Sequence, residues 1–477
     1  MNKIFPILAL VGMTISGCTL APQYERPAAP VSTNWPSASI SGGNVSDNSA
    51  TNAVADIGWR EFFRDPRLQK LIELSLTNNR DLQIAALNVE QSRAQYRIER
   101  AALFPDIDAS GNYIRQRTSK NLLLPGEPVL GSQYSVSLGT TAYEVDLFGR
   151  IRSLKTAALE NYFATEEARK SAQIALVAEV ASQYLTERAF DEELEMTRDT
   201  LDAVQNSYNL IKASYDAGVG SELDLRSAES QVESAKASAA LFEQQRDQAR
   251  NALVLLVGAP LPNDLPPPQS LNEQDLLTDL PPGLPSDLLQ RRPDIRAAEH
   301  ELKSANANIG AARAAFFPAI KITADAGFSS AQLSSLFDAG SGMWLFNPQI
   351  TLPIFEGGRN KANLDVAKIS KLIEVANYEK TIQTAFREVA DGLTAKKFLD
   401  EQLADQTALV KAEQRRYELA DARYKNGVDN YLTALTAQQD LFTSQRNQIA
   451  TQLLRLSNLI SLYQALGGGW RENSPQP

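Results

Sequence analysis

Two residue types with versatile chemistry are almost missing from this 477-residue chain: it has one cysteine, Cys18, and one histidine, His300. Counting alone excludes Cys/His metal clusters, Cys–His nucleophile pairs and disulfides within the chain. His300 stands in RAAEHELKSA, a helical context, and reads as a plain helix residue rather than a catalytic one. No paired motif for a nucleophile and base occurs, which argues against a hydrolase, and no metal or cofactor is expected. A basic excess is missing too: 47 Lys and Arg face 57 Asp and Glu, a formal charge of −10. A nucleic-acid partner would require a basic face. No run of 18 consecutive apolar residues follows the first segment, so no transmembrane helix is expected and any membrane crossing is by strands.

What is present begins with that first segment. Lys3 gives a short positive region, and IFPILALVGMTI is apolar but too short to span a bilayer as a mature helix. Residues 1–17 read as a signal peptide. The run ends in Ile15-Ser16-Gly17-Cys18, which resembles the lipobox of bacterial lipoproteins; there, cleavage leaves the cysteine first in the mature chain, carrying acyl chains such as palmitate. The alternative is an ordinary signal peptide with an incidental cysteine. Thr19 in place of aspartate, by the same resemblance, favours sorting to the outer membrane.

The mature chain is written twice. RDLQIAALNVEQSRAQYRIERAALFP at 80–105 pairs with PDIRAAEHELKSANANIGAARAAFFP at 293–318, and ASYDAGVGSELDL at 213–225 pairs with ARYKNGVDNYLTA at 422–434, 209 residues on. This period is far too long for a solenoid. The divisions expected are a lipid-anchored segment over 18–60, a first repeat over 61–262, a proline-rich linker over 263–285, a second repeat over 286–470 and a tail over 471–477. Each copy reads helix, two strands, very long helix, tip, helix. Residues 150–217 and 359–426 run without proline and with one glycine, Gly392, and as helices each is about 100 Å long. Leu201, Val204, Tyr208, Ile211 and Tyr215 keep the 3-4 spacing of a packed helical seam. Opening helices are expected over about 75–103 and 287–316 and returning helices over 221–257 and 429–466.

KITADAGFS and MWLFNPQITLPIF alternate apolar and polar residues, with a weaker version in IDASGNYIRQR and YSVSLGTTAYEV. Such segments of about 10 residues suit a transmembrane barrel wall, and equally any half-buried antiparallel sheet. Four strands cannot close a barrel, and an open edge in lipid leaves backbone groups unpaired. Three subunits would supply twelve strands, whereas two supply eight and a bore that side chains fill. The fold expected is mainly α with a small β part: a long α-helical barrel continuous with a transmembrane β-barrel, four strands per subunit, closed only as a trimer.

Trp59-Arg60-Glu61-Phe62-Phe63 followed by Asp65, Leu68, Leu71-Ile72 and Asn79-Arg80-Asp81-Leu82, the paired ALFP and AFFP, GVDNYLTAL and the closing LYQALGGGW resemble the TolC-type outer-membrane factors, in their lipoprotein branch. The resemblance implies a homotrimeric channel in outer-membrane lipid, continued by a periplasmic tunnel. It would dock on a periplasmic adaptor and an inner-membrane pump of the resistance-nodulation-division type to export drugs and other small toxic compounds, with no bond broken. It places Tyr424, Asp429 and Leu432 at a periplasmic gate on the second-copy hairpin, and Gly218, Val219, Gly427 and Val428 at adaptor-docking tips. Close relatives often carry a charged latch at the positions of Thr436 and Gln439; a ring of Leu432 with hydrogen bonds from Thr436 and Gln439 takes its place here. Asp421, Asp429, Asp216 and Asp224 leave the entrance acidic, with Asp429 and Asp224 in the first turns of their helices. A duct for polypeptides, or a lipid-anchored coiled-coil scaffold without a pore, are the alternatives.

Overall fold

A computed structural model describes residues 19–32, 35, 54–119, 121, 129–278, 280 and 285–474. The expected signal peptide and Cys18 lie outside the described residues. The elements in chain order are α1 (Trp59–Phe62), α2 (Pro66–Asn78), α3 (Arg80–Ala101), β1 (Asp108–Arg117), β2 (Leu130–Val145), α4 (Arg150–Asp216), α5 (Glu222–Val257), α6 (Pro285–Arg291), α7 (Pro293–Ala314), β3 (Ala319–Ser330), β4 (Gly342–Thr351), α8 (Arg359–Lys425) and α9 (Tyr431–Ala465). The chain divides into two compact units. One takes residues 88–165, 297–378 and the described part of 1–28; the other takes the rest.

In the first unit the four strands form one antiparallel sheet in the order β1-β2-β3-β4. Its register explains why the first copy looked weak as sequence. Tyr113 pairs with Tyr134, Gly111 with Val136 and Ala109 with Leu138. Val136 in turn pairs with Phe328 and Leu138 with Ala326, and Ala326 pairs with Trp344, Ala324 with Phe346 and Ile320 with Ile350. Since alternate residues share a face, one side of the sheet carries an apolar band from edge to edge, with Arg115 and Arg117 beyond it at the end of β1. The other carries Ser110, Asn112, Ser135, Ser137, Thr323, Asp325, Asn347 and Gln349, among them the Ser110–Ser137 and Gln133–Ser329 hydrogen bonds at 3.0 and 3.1 Å. Strand β2 is longer than expected and its pairing with β3 slips between Thr140 and Tyr143, where Ala142 takes a φ of 58°. Strand β4 stops at Thr351 rather than running on through Phe355, and it takes in Pro348 opposite Ile322. No described helix is long and apolar enough to cross a membrane.

The same unit holds an N-terminal strap. Asn306 Nδ2 donates to Pro22 O at 2.8 Å and Arg313 Nη1 to Leu20 O at 3.0 Å. Glu299, buried on α7, accepts from Tyr24 at 3.1 Å and from Arg26 at 3.1 and 2.7 Å, and pairs with Lys303 at 3.2 Å. His300 is a helix residue with a helix partner, its Nδ1 2.6 Å from Glu160 Oε2 on α4.

In the second unit the long helices bury narrow seams: Val177, Val180, Ala181 and Tyr184 on α4, Ile382, Ala385 and Val389 on α8, and Leu456, Leu459, Ile460 and Tyr463 on α9. Further along α4, Val204 and Ile211 are buried with Leu201 and Tyr208 packed against them. Tyr215, offered by the spacing as the next seam residue, is exposed instead, because the helix ends one residue later. The opening helix of each copy is broken in two, contrary to the continuous helix expected. Asn79 ends α2 and caps α3, accepting from Leu82 N at 2.9 Å while its Nδ2 donates to Leu256 O at 2.8 Å. Arg292 ends α6 because Pro293 follows it. The WREFF motif is core: Phe62 stacks on Tyr463 at 3.9 Å and Phe63 meets the same ring edge-on at 6.0 Å. Asp65 is a buried cap that accepts from Arg67 N at 2.7 Å, Tyr184 at 2.7 Å and Gln274 at 2.9 Å.

Candidate gate and docking tips

Both hairpin tips use the same backbone device. At the end of α4, Gly218 adopts φ 76°, and at the end of α8, Gly427 adopts φ 69°, a region where any side chain is disfavoured. Gly218 N donates to Tyr215 O at 2.8 Å and Val219 N to Ser214 O at 3.1 Å; Gly427 N donates to Tyr424 O and Val428 N to Arg423 O, both at 2.9 Å. This is the Schellman closure, which satisfies carbonyls left over at a helix end. The chain then restarts at a capping side chain: Ser221 accepts from Leu223 N at 3.2 Å, and Asn430 from Thr433 N at 3.1 Å. The repeated Gly-Val thus has a local cause. Glycine supplies the left-handed turn, and the valine that follows is pushed outward, Val219 being 81% and Val428 61% exposed.

The second tip differs in its charges. Asp429 lies before the cap rather than in the first helical turn, since Asn430 takes the capping role. Its carboxylate pairs with Arg423, whose hydrogen bond holds it below the usual aspartate range. Asp421 pairs with Lys425 and Asp216 with Lys212, each at 2.8 Å. Three of the four aspartates expected to make the entrance acidic therefore have a cation on their own hairpin. Across the second-copy hairpin, Arg416 reaches Asp440 at 2.8 Å, and on its own helix it pairs with Glu413 at 2.9 Å. Sequence reasoning passed over this pair, although a signal was there: Arg416 and Asp440 stand equally far from Val428, so a hairpin turning at that point brings them together.

Between the hairpins Tyr431 is buried with Ile211, Leu225, Ala228 and Leu435, and Tyr208 and Tyr424 pack on the cluster. The Tyr424 and Tyr431 rings lie 5.4 Å apart. Burial pushes Tyr431 up to about 12 and raises Tyr424 as well, with Asp224 adding to it. Tyr424 is therefore half-buried packing within the subunit, not a free ring. Gln439, expected to donate at the gate, donates to Gln231 of the first-copy hairpin at 2.8 Å. Leu432 is 63% exposed, with Thr436 and Gln439 exposed on the same stripe of α9, and Leu223, its counterpart, is 74% exposed. The structure thus brings Leu432, Thr436 and Gln439 to one exposed face, with Gln439 tied to Gln231, and keeps Tyr424 and Asp429 in contacts of their own. Among the described residues no group of three His, Cys, Asp or Glu is placed to hold a metal ion.

A sheet with one apolar band, and very long paired helices closed by tips of the same backbone form, match known proteins along the whole chain. The sequence pattern described as outer membrane efflux protein covers residues 71–259 and 284–468. The chain belongs to the outer membrane efflux protein family. It is 50% identical over 476 residues, all of this chain and 98% of the other, to the probable efflux pump outer membrane protein TtgC of Pseudomonas putida. It is 45% identical to the outer membrane protein OprJ of Pseudomonas aeruginosa, over 97% of this chain and 95% of that one. In structure it is similar to the MtrE outer membrane channel of Neisseria gonorrhoeae, described in its open state, with a TM-score of 0.87, 42% identity, and coverage of 96% of this chain and 100% of the other. As a member of the outer membrane efflux protein family the chain is a transport duct rather than an enzyme, mainly helical with a small sheet, and placed in the outer membrane with a periplasmic tunnel.

Proposed function

We propose that this chain is one of three identical subunits of the outer-membrane exit duct of a tripartite efflux system, passing drugs and other small toxic compounds expelled by an inner-membrane pump of the resistance-nodulation-division type. The observation that carries the reading is the sheet: one continuous apolar band and two edges, β1 and β4, that a single copy leaves open. Three copies close a twelve-stranded wall, wide enough to conduct. Relatives from Pseudomonas putida named as antibiotic and toluene efflux pump outer membrane proteins, each 50% identical to this chain, support the cargo class.

In this reading the Gly218-Val219 and Gly427-Val428 tips present rigid, exposed valines to a periplasmic adaptor, and Cys18 carries the lipid that tethers the duct. The Leu432 side chains of three copies meet at the axis as an apolar plug, and Thr436 and Gln439 stand behind them on the same stripe. Arg423 neutralises Asp429 within each copy, so opening does not begin from a ring of bare carboxylates. A fully buried leucine contributes about 1.5–3 kcal/mol, enough to bias a closed state without locking it.

The test is complementation of an efflux-deficient strain lacking this gene. Wild type should restore drug resistance. Leu432→Ala should raise single-channel conductance in planar bilayers and sensitise cells to large antibiotics, while Leu223→Ala on the outer hairpin changes either little. Equal conductance changes at the two positions would remove the inner-gate assignment, and no restoration by wild type would remove the efflux role.

A further inference from the structure

The chain is acidic as a whole, yet one face beside its first strand is basic. Arg93, Arg97 and Arg100 recur on α3 at spacings of four and three, which gathers them on one side of the helix. With Tyr96, Phe104 and Tyr162 they line an open groove of about 590 Å³ between α3 and α4. Glu90 stands 3.6 Å from Arg93; no carboxylate of a described residue pairs with Arg97 or Arg100. Phe104 is 67% exposed beside them.

The groove sits where the helices of this unit give way to strands. Helix α3 ends at Ala101 and β1 begins at Asp108. Arg97 is about 4.5 Å and Arg93 about 10 Å further back along the axis than Arg100. With the strands taken as the part that lies in hydrocarbon, the polar layer, roughly 5–8 Å deep on each side, is the one that Phe104 and Arg100 meet first. The guanidinium of Arg97 reaches it by extending along its own stem. Exposed aromatic rings are the usual company of such a boundary, and a guanidinium fork matches two phosphate oxygens at once.

We propose that this groove binds the phosphate headgroup of an anionic phospholipid in the periplasmic leaflet of the outer membrane. The inference rests on the outer-membrane placement given above. A second copy's carboxylate is the competing occupant, since α3 leads into an edge strand. Several guanidinium groups in one open, aromatic-lined groove suit a phosphodiester with its acyl chains against Phe104 better than a single carboxylate.

Native mass spectrometry of the purified full-length trimer, with phosphatidylglycerol, phosphatidylcholine or inorganic phosphate added, decides the matter. Wild type should retain phosphatidylglycerol in preference to phosphatidylcholine. The Arg97→Gln/Arg100→Gln variant should retain it about twenty-five-fold less, at about fivefold for each basic residue near an anionic surface. The Arg97→Lys/Arg100→Lys variant should keep most of the binding. Equal retention by wild type and the glutamine variant would overturn the proposal. So would displacement of the lipid by equimolar inorganic phosphate, the mark of a free-anion site, or dissociation of the glutamine variant into monomers, the mark of a subunit contact. Conductance recorded in parallel separates the two readings: loss of lipid with an intact channel supports this one, whereas a wild-type protein that does not conduct is a failure of the duct itself.

Discussion

At the scale of single residues, sequence shows what a side chain is but not who meets it. Asp65 could be quoted as part of a motif, yet its work as a buried cap depends on Tyr184 and Gln274, which arrive from distant parts of the chain. Glu299 gave no signal at all in a helix of ordinary composition, because its partners Tyr24 and Arg26 come from a strap more than 270 residues away in sequence. Burial alone would raise this carboxyl, but Arg26 and Lys303 outweigh burial and hold it below the usual glutamate range. A carboxylate depressed in this way stabilises docking fully above its ordinary value, about 4.3, and loses that stabilisation only as pH falls through the depressed value. The strap should therefore stay docked from neutral to mildly acidic pH. Glu299→Gln removes the charge and leaves neutral hydrogen bonds, so chymotrypsin should cut after Tyr24 about tenfold faster, a loss of about 1.4 kcal/mol, just under the roughly 1.5–3 kcal/mol of a hydrogen bond to a charged group because neutral bonds remain. Unchanged cleavage, or a wild-type rate that already climbs between pH 7 and pH 5.5, would show that Glu299 does not clamp the strap.

At the scale of elements the sequence was most legible where one local rule decides. The absence of proline over nearly seventy residues, with Gly392 the one glycine in either run, marks the long helices to within a residue of Arg150–Asp216 and Arg359–Lys425. The tips were legible because φ > 0 demands glycine. The break at Asn79 was not, since Asn79 is a cap only by virtue of the chain around it; the break before Pro293 had a local signal that was passed over; and the start of α9 was misplaced because Asp429 and Asn430 are both good caps and geometry chose the second. The Schellman closures predict a graded response. Gly218→Ala or Gly427→Ala must hold a Cβ in the left-handed region, at about 1–2 kcal/mol, whereas asparagine is tolerated there. Hydrogen exchange at residues 214–221 or 423–430 should accelerate about tenfold in the alanine variants and much less in the asparagine variants, with the seams at Val177 and Ile382 unaffected. Alanine and asparagine variants that behave alike would mean that the left-handed turn is not what holds the tips.

At the scale of the whole molecule, the β-part shows why a protomer's sequence underdetermines its assembly. Alternation is plain in β3 and β4, but β1 and β2 are full of Ser, Gly and Thr, and only the register reveals that Ala109, Gly111 and Tyr113 continue the apolar face of Val136, Phe328 and Trp344. That face is of use only against lipid, and in lipid the outer edges of β1 and β4 cannot remain bare. Each strand is 10 residues long, so each edge presents a row of unpaired N–H and C=O groups at several kcal/mol apiece in hydrocarbon. No side-chain contact within one subunit offsets a penalty of that size; pairing β4 of one copy with β1 of the next removes it, and repeats until the ring closes. Closure at two copies leaves eight strands and a bore filled by side chains, and closure at three leaves a passage. Light scattering of the detergent-extracted protein should therefore give the mass of a trimer, with no monomer that retains β-structure while conducting in bilayers. Trp344→Asp, which sets a charge on the lipid face of an edge strand, should lower membrane insertion without altering exchange protection in the helical seams of residues 177–184 and 382–389. A stable conducting monomer would mean that the open edges are covered within one chain, and the inference from strand count to trimer would then have no basis.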